Sequence, residues 1–241
     1  MHNVALVYPV HNALECVIKS FPELVKADPI HIAVINDCSQ KPTSDWLLEN
    51  VLATKIPVSY VFNTRQQLFT RTVNRGIRSV THLNPEFIGV VNTDCILKDG
   101  WLDALVEGME DPSVGIVGYK DSVDSSSTKP FTEVTPPNYI TGHCILLRTK
   151  MLEKVGVFLE TDTTGIWLPE LAPFKGLAHI GSDRMMSYNA HRFGWKTLYC
   201  NFGGCEHAAG QSWNHDLAWL SRFNLQPLWE ANDTLSEVSY I

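Results

Sequence analysis

The architecture of this chain can be predicted from FIGVVNTD at residues 87–94, where five apolar residues end abruptly in three polar ones. A short continuous apolar run is typical of a strand that is buried on both faces, as in a parallel sheet. The same pattern occurs earlier, where the apolar run 30–35 ends at Asn36 and Asp37. Acids at the ends of successive buried strands predict an α/β enzyme whose ligands bind beyond the carboxyl ends of those strands. Asp37 could then meet a nucleotide base, and Asp94 its phosphates.

Strand and helix signals alternate along the first half of the chain. Further apolar runs at 4–8 and 58–62 predict two more strands. Apolar residues recur at helical spacing between 14 and 24, and a second helix is predicted from about 70 to 80. Ser44 is a plausible N-cap for a short helix between the second and third strands. Strands separated by helices predict parallel βαβ units with right-handed crossovers.

The second half of the chain is less regular. We predict helices at 101–109 and 183–193, the latter closed by Gly194, and strands at 114–119 and 140–147. The segment 121–137 is rich in Ser, Thr and Pro, which predicts a loop or insertion.

Two further segments complete the predicted organisation. The segment 161–178 has no periodicity and suits a loop that covers a substrate. We expect one domain over residues 1–241, divided into a nucleotide-binding half (1–119), an acceptor-binding half (120–213) and a C-terminal helical tail (214–241).

Composition narrows the possible partners and location. No run approaches the ~20 apolar residues that a membrane-spanning helix needs, so we expect no integral membrane segment. A net charge of −7 argues against a nucleic-acid partner, although one nucleotide's charge can be met locally. No basic region or cleavage site precedes the first strand, which predicts a cytoplasmic protein. The six cysteines form no Cys-x-x-Cys pair, so we expect reduced thiols.

Seven short motifs follow one another in a distinctive order. They are VYPVHN (7–12), VINDCS (34–39), NRGI (74–77), NTD (92–94), TGHCILLR (141–148), SD (182–183) and a final segment with His207, Gly210 and Ser212. In this order and spacing they resemble the inverting family-2 glycosyltransferases of the GT-A fold, over most of the chain. The resemblance implies a Rossmann-like, mostly parallel central sheet flanked by helices, with a smaller acceptor-side sheet and loops.

The resemblance also implies which residues meet the donor, a nucleoside diphosphate sugar that is most often UDP-linked. The implied nucleotide-binding residues are Pro9, His11, Asp37, Asn74, Asn92, Thr93 and Asp94. Asp94 and His207 would hold a divalent cation, Mn²⁺ or Mg²⁺, which stabilises a leaving diphosphate.

The remaining implied roles concern the acceptor, a carbohydrate or another hydroxyl compound. Gly142, His143, Ser182 and Trp167 would form the acceptor pocket. Asp183 would be the general base that takes the proton of the attacking hydroxyl, and in-line attack predicts inversion at the anomeric carbon. Since Asp183 starts a predicted helix, we expect the helix dipole to lower its pKa.

Each candidate also has a structural interpretation. Acids that follow strands can simply form turns, Asp183 can be an N-cap, and a lone His207 can be structural. The chain also departs from the family pattern, because Asn36, Asn92 and Ser182 stand where acids are usual.

The departures leave two alternatives to an inverting glycosyltransferase. A non-catalytic nucleotide-sugar or glycan-binding module of the same fold would bind the nucleotide without turnover. A sugar nucleotidyltransferase would usually carry a glycine-rich basic loop, which the turn 9–13 lacks. The sequence leaves open the sugar, the acceptor, the nucleotide base, the choice between Mn²⁺ and Mg²⁺, and the oligomeric state.

Overall fold

A computed structural model describes residues 2–120, 129–160 and 182–208 of the chain. The strands are β1 (Val4–Val10), β2 (His31–Asn36), β3 (Val58–Phe62), β4 (Phe87–Val91), β5 (Cys95–Leu97), β6 (Val114–Tyr119), β7 (Phe131–Glu133), β8 (Cys144–Arg148), β9 (Lys196–Cys200) and β10 (Cys205–His207). The helices are α1 (Leu14–Lys26), α2 (Lys41–Ala53), α3 (Leu68–Val80), α4 (Trp101–Glu107), α5 (Thr149–Val155) and α6 (Ser182–Arg192), and a 3₁₀ turn spans Thr81–Leu83.

Eight of these strands form one mixed sheet in the order β3-β2-β1-β4-β8-β6-β9-β7. The first four run parallel, as the alternation of strands and helices predicts. β8 is antiparallel to both β4 and β6, and β5 and β10 form a separate two-stranded sheet. The predicted architecture, a large sheet flanked by helices with a second small sheet, is confirmed.

The two faces of the large sheet bury two separate apolar layers. Side chains of β1 alternate between them, with Leu6 and Tyr8 in one layer and Ala5 and Val7 in the other. The first layer contains residues of α1, α2 and α4, and the second contains residues of α3, α5 and α6. A strand that is buried on both faces needs an apolar residue at nearly every position, which is why the strand runs are continuous rather than alternating.

Helix α3 lies directly against β1. A Cβ added to Gly76 would stand 2.3 Å from Val7 Cγ1 and 3.2 Å from Ile35 Cγ1, closer than packed carbon atoms approach. The glycine of the motif 74–77 therefore allows α3 to pack closer to the sheet than a larger residue would permit.

Three local predictions need correction. Ser44 is not an N-cap, since α2 begins at Lys41 and the Ser44 hydroxyl instead accepts from Asn36 Nδ2. The segment predicted to be a loop between 121 and 137 contains β7, which pairs with β9 at the sheet edge. The strand predicted from 140 begins only at Cys144. The C-terminal glycine of α6 is confirmed, because Gly194 has φ +81° and its amide donates to His191 O.

Several predicted features lie outside the described residues. They are the whole segment 161–178 with Trp167, Gly210 and Ser212, and the predicted helical tail 214–241. The division into two halves and a tail stays a prediction. None of the helices in the described ranges has both the length and the apolar composition that crossing a bilayer requires. All six cysteines are free.

Candidate active site

The candidate site lies where the parallel strands end. β1 and β2 finish side by side, with Val10 paired to Asn36, and β4 finishes at Val91. Because β8 runs antiparallel to β4, its first residue, Cys144, pairs with Val91. The residues that precede β8 therefore reach the same edge, and Asn92 N donates to His143 O at 2.7 Å.

Asp94 and His207 are brought together by the small sheet. β10 pairs antiparallel with β5, so that His207 stands opposite Cys95, the residue after Asp94. The Ala208 amide donates to Asp94 O at 3.0 Å, and His207 Nε2 lies 3.5 Å from Asp94 Oδ1. The proximity expected of these two residues is therefore present in the structure.

Three buried cysteines lie on the strands next to Asp94 and His207. Cys95 and Cys205 belong to β5 and β10, Cys144 begins β8, and the Cys95 thiol donates to His143 O at 3.2 Å. All three side chains are at most 2% exposed. The Cys95 thiol thus links the start of the small sheet to the residue that precedes β8.

His143 directly precedes β8 and packs against His207. Its ring stacks on the His207 ring with the centroids 4.3 Å apart and the planes inclined by 8°. The side chain is 2% exposed, and its Nδ1 is 2.9 Å from Thr141 Oγ1. His143 therefore packs against His207 beside Asp94, and its place in the acceptor pocket stays a prediction.

Two buried oxygen atoms of the Asn92–Asp94 turn are suited to a divalent cation. Asp94 Oδ1 and Asn92 Oδ1 are both buried and accept no hydrogen bond among the residues that the structure describes. Carboxylate and amide oxygens are ligands that hard cations prefer. Across the same described ranges, no group of three His, Cys, Asp or Glu side chains is arranged to hold a metal. At phosphate sites Mg²⁺ is commonly held by one or two carboxylates together with substrate phosphates, and a small set of protein ligands is compatible with that arrangement.

Asp183 is the second residue of α6 and is held by two backbone amides. Its Oδ1 accepts from Arg184 N at 2.8 Å, and its Oδ2 accepts from Gly142 N at 3.2 Å. Gly142 has little space for a side chain, since an added Cβ would lie 3.1 Å from the Phe69 ring and 3.5 Å from Asp183 Cβ. The segment 141–143 thus contacts Asp183 on one side and the Asn92–Asp94 turn on the other.

The pKa of Asp183 is raised above its ordinary value of 3.8, and the expected direction was wrong. Burial is the largest cause, because it removes water from the charged form. The amides of Arg184 and Gly142 and the Arg184 charge oppose it, but do not outweigh it. A raised pKa makes this carboxylate a stronger base than an exposed one.

Asp37 has an extensive set of protein donors. Its Oδ1 accepts from Asn63 Nδ2 at 2.8 Å and Gln67 N at 2.7 Å, and its Oδ2 accepts from Leu68 N at 2.9 Å. Its backbone oxygen is 2.7 Å from His11 Nδ1. The half-buried Pro9 is paired with Ile35, so Pro9, His11 and Asp37 lie together at the end of β1 and β2, as expected.

The structure explains why Asn36 stands where an acid is usual. Its Nδ2 donates to Ser44 Oγ at 2.9 Å and to Tyr60 OH at 2.7 Å, and its Oδ1 accepts from Ser39 N at 2.9 Å. Asn36 is completely buried, and a carboxylate there would add a buried charge and lose both donated bonds. The amide therefore serves the turn that presents Asp37.

Asn74 and Ser182 are both directed into the protein. Asn74 is 0% exposed, and its Nδ2 donates to Phe158 O at 2.7 Å. Ser182 is 3% exposed and accepts a hydrogen bond of 2.9 Å from Thr70 Oγ1. These contacts tie α3 to the segment after α5 and to the start of α6.

The sequence interpretation missed one residue that supports the Asn92–Asp94 turn. Ser20 lies on the apolar face of α1, and its Oγ donates to Thr93 O at 3.1 Å and is 2.6 Å from Tyr8 OH. Thr93 itself is 5% exposed. The available signal was a single polar residue among Val17, Phe21 and Leu24 on the buried face of α1.

Solved structures share this fold. The chain superposes on the mannosyltransferase PcManGT from Pyrobaculum calidifontis with a TM-score of 0.65 at 15% identity, covering 86% of this chain and 56% of that one. Residues 1–349 of TarS from S. aureus superpose with a TM-score of 0.63 at 13% identity, covering 94% of this chain and 66% of that one. GalNAc-T7 superposes with a TM-score of 0.55 at 14% identity, covering 85% of this chain and 43% of that one. The chain thus spans less than two thirds of each of these structures, and its fold is of the GT-A class.

The sequence itself identifies the family. Residues 5–146, more than half of the chain, match the family described as Glycosyl transferase family 2. The chain therefore belongs to glycosyl transferase family 2. No curated protein matches the sequence.

Proposed function

We propose that this chain is a metal-dependent inverting glycosyltransferase that moves a sugar from a nucleoside diphosphate sugar to an acceptor hydroxyl. The observation that carries the proposal is the position of Asp183. Its carboxylate has a raised pKa and accepts a hydrogen bond from the Gly142 amide. The next residue, His143, accepts a hydrogen bond from the Asn92 amide in the Asn92–Asp94 turn. A base and a candidate metal ligand thus stand on two sides of one short segment.

Asp183 would take the proton of the acceptor hydroxyl while that oxygen attacks the anomeric carbon. Its carboxylate oxygens accept from the backbone amides of Gly142 and Arg184, which hold the side chain in place for this step. The bond to the diphosphate breaks as the new bond forms on the opposite face of the sugar. An α-linked donor would therefore give a β-linked product.

Asp94 and His207 would hold the cation, with the Asn92 amide oxygen as a neutral ligand in place of the usual acid. When bound, a divalent cation supplies positive charge that stabilises the leaving diphosphate. His143 stacks on His207 and would keep its ring oriented, as supporting residues of metal ligands commonly do.

We propose UDP as the nucleotide of the donor. TarS has been solved with UDP-GlcNAc, and GalNAc-T7 with UDP, GalNAc and Mn²⁺, whereas PcManGT has been solved with GDP-Man and Mn²⁺. Pro9, His11 and Asp37 would form the nucleotide end of the site, and Gly142, Ser182 and Trp167 the acceptor end.

Calorimetric titration with UDP, GDP, dTDP and CDP, each with Mn²⁺ and with EDTA, tests this proposal. We expect one nucleotide, UDP, to bind tightly with Mn²⁺ and to lose its affinity in EDTA. Absence of binding under every condition would contradict the proposal. Binding with Mn²⁺ but no turnover of any UDP-sugar, even towards water, would instead support a non-catalytic binding module.

The dependence of kcat on pH gives a second expected result. Only the ionised form of Asp183 can accept a proton, so kcat should fall as the pH drops through the pKa of this group. Because burial raises that pKa, the acidic limb should lie above 3.8. The measurement is kcat from neutral pH downwards at saturating donor and Mn²⁺, with nucleotide affinity followed over the same range as the control. A kcat that stays constant down to pH 3.8 would exclude Asp183 as the base.

A further inference from the structure

The first turn of α3 touches both ends of the candidate site. At its start, the Asp37 carboxylate accepts from the amides of Gln67 and Leu68. Amides at a helix start have no partner within the helix, and a carboxylate there is also favoured by the helix dipole. Asp37 thus caps a helix that begins about thirty residues later in the chain, and connects the nucleotide edge to α3.

The backbone at this cap has an uncommon conformation. Leu68 has φ +65°, in the left-handed region that residues with a Cβ rarely adopt. The Leu68 amide donates to Asp37 Oδ2 at 2.9 Å, and this bond holds the strained residue in place. Strained backbone persists where the surroundings fix it, and it occurs often at functional sites.

The next two residues of the turn contact the residues around Asp183. The Phe69 ring lies against Gly142, whose amide donates to Asp183 Oδ2. Thr70 Oγ1 donates to Ser182 Oγ at 2.9 Å, and both side chains are at most 3% exposed. An unbroken series of contacts therefore runs from Asp37 through the α3 turn to the two residues that adjoin Asp183.

We propose that the first turn of α3 is a positioning element for Asp183, with Asp37 fixing the turn and Thr70 as the positioning residue that transmits its geometry to Ser182. This inference rests on the proposed function for its catalytic meaning, though the contacts themselves do not. In this proposal Asp37 fixes the first turn of α3 as well as binding the nucleotide. The Ser182 hydroxyl, at a position where the family usually has an acid, accepts the hydrogen bond from Thr70.

Amide hydrogen exchange measured by NMR on the full chain tests the proposal without any activity. Thr70→Val removes the hydroxyl and keeps the shape, and it should speed exchange at the amides of Gly142 and Arg184. The expected factor is about fivefold, which corresponds to one hydrogen bond of average net strength. Thr70→Ser should restore the wild-type rates.

Two further variants make the test specific. Thr81→Val is the matched control, since the exposed Thr81 hydroxyl donates to the Arg78 carbonyl at the far end of α3, and it should leave both amides unchanged. Asp37→Asn should speed exchange at Leu68 directly, and at Gly142 and Arg184 through the turn. Faster exchange at Leu68 with unchanged rates at Gly142 and Arg184 would overturn the proposal.

Kinetics then separate this inference from the proposed function. Thr70→Val should lower kcat by about fivefold with the donor KM unchanged, and Thr70→Ser should recover it. If the wild-type chain turns over no nucleotide sugar, the proposed function fails, whereas the exchange data still decide whether the turn positions Asp183. A kcat loss in Thr70→Val that Thr70→Ser does not recover would also count against the hydrogen bond.

Discussion

Asp183→Asn is expected to lower kcat by about 10²–10⁴-fold, the range that general-base assistance typically contributes. The substitution keeps the size of the side chain and removes its capacity to accept a proton. Nucleotide affinity should change by no more than about twofold, because Asp183 is bonded to Gly142 and Arg184 rather than to the nucleotide edge. Initial rates of nucleoside diphosphate release, together with UDP titration of the variant, measure both quantities.

Asp103→Asn is the matched control for this variant. Asp103 also stands in the first turn of a helix, α4, but its side chain is 74% exposed and pairs with His2. It should leave both kcat and nucleotide affinity unchanged. Equal turnover of wild type and Asp183→Asn would remove Asp183 from the reaction and require another base.

Asp94→Ala is expected to reduce nucleotide affinity in the presence of Mn²⁺ to the level found in EDTA. Changing a residue that merely supports a metal ligand costs about 10–100-fold in metal affinity, so loss of a charged ligand should cost at least as much. Asp94→Asn keeps one neutral oxygen and should fall between wild type and Asp94→Ala. Titration of each variant with UDP, with Mn²⁺ and with EDTA, gives the ranking.

Asp99→Ala provides the comparison in the same segment of chain. Asp99 is 82% exposed and pairs with Lys26, away from the strand ends. Its removal should leave the Mn²⁺ dependence intact. If Asp94→Ala binds UDP with the wild-type dependence on Mn²⁺, Asp94 is not a metal ligand.

The strand-end acids could be predicted from sequence because periodicity encodes them. The buried runs before Asp37 and Asp94 are continuous, which is typical of parallel strands, and the carboxyl ends of parallel strands share one edge. The structure places β2 and β4 on either side of β1, so both acids do reach that edge. Fold class and the positions of these two carboxylates thus follow from local pattern.

Other features depended on contacts between distant parts of the chain. The proximity of His207 to Asp94 arises from the pairing of β10 with β5, and only the family resemblance indicated it, since strands of three residues carry little periodic signal. β7 was missed for the same reason, because its residues lie at a sheet edge within a polar segment.

The pKa of Asp183 was predicted in the wrong direction because the prediction considered only the local effect of the helix start. The helix start favours the ionised form, and the sequence indicates that effect alone. Burial is a tertiary property, and it outweighs the backbone hydrogen bonds and the Arg184 charge that favour the ionised form. The hydrogen bonds of three other site residues also could not be predicted from local sequence, because each partner lies on a different part of the fold. The pairs are Asn36 with Tyr60, Asn74 with Phe158, and Ser182 with Thr70.

The most direct test of the central claim is time-resolved proton NMR of the anomeric signal during turnover of an α-linked UDP-sugar by the full chain with Mn²⁺. The account predicts that the first product carries the β-configuration and that Asp183→Asn forms it at a rate lower by about 10²–10⁴-fold. A first product that retains the α-configuration, or an Asp183→Asn variant that forms the β-product at the wild-type rate, would contradict the account.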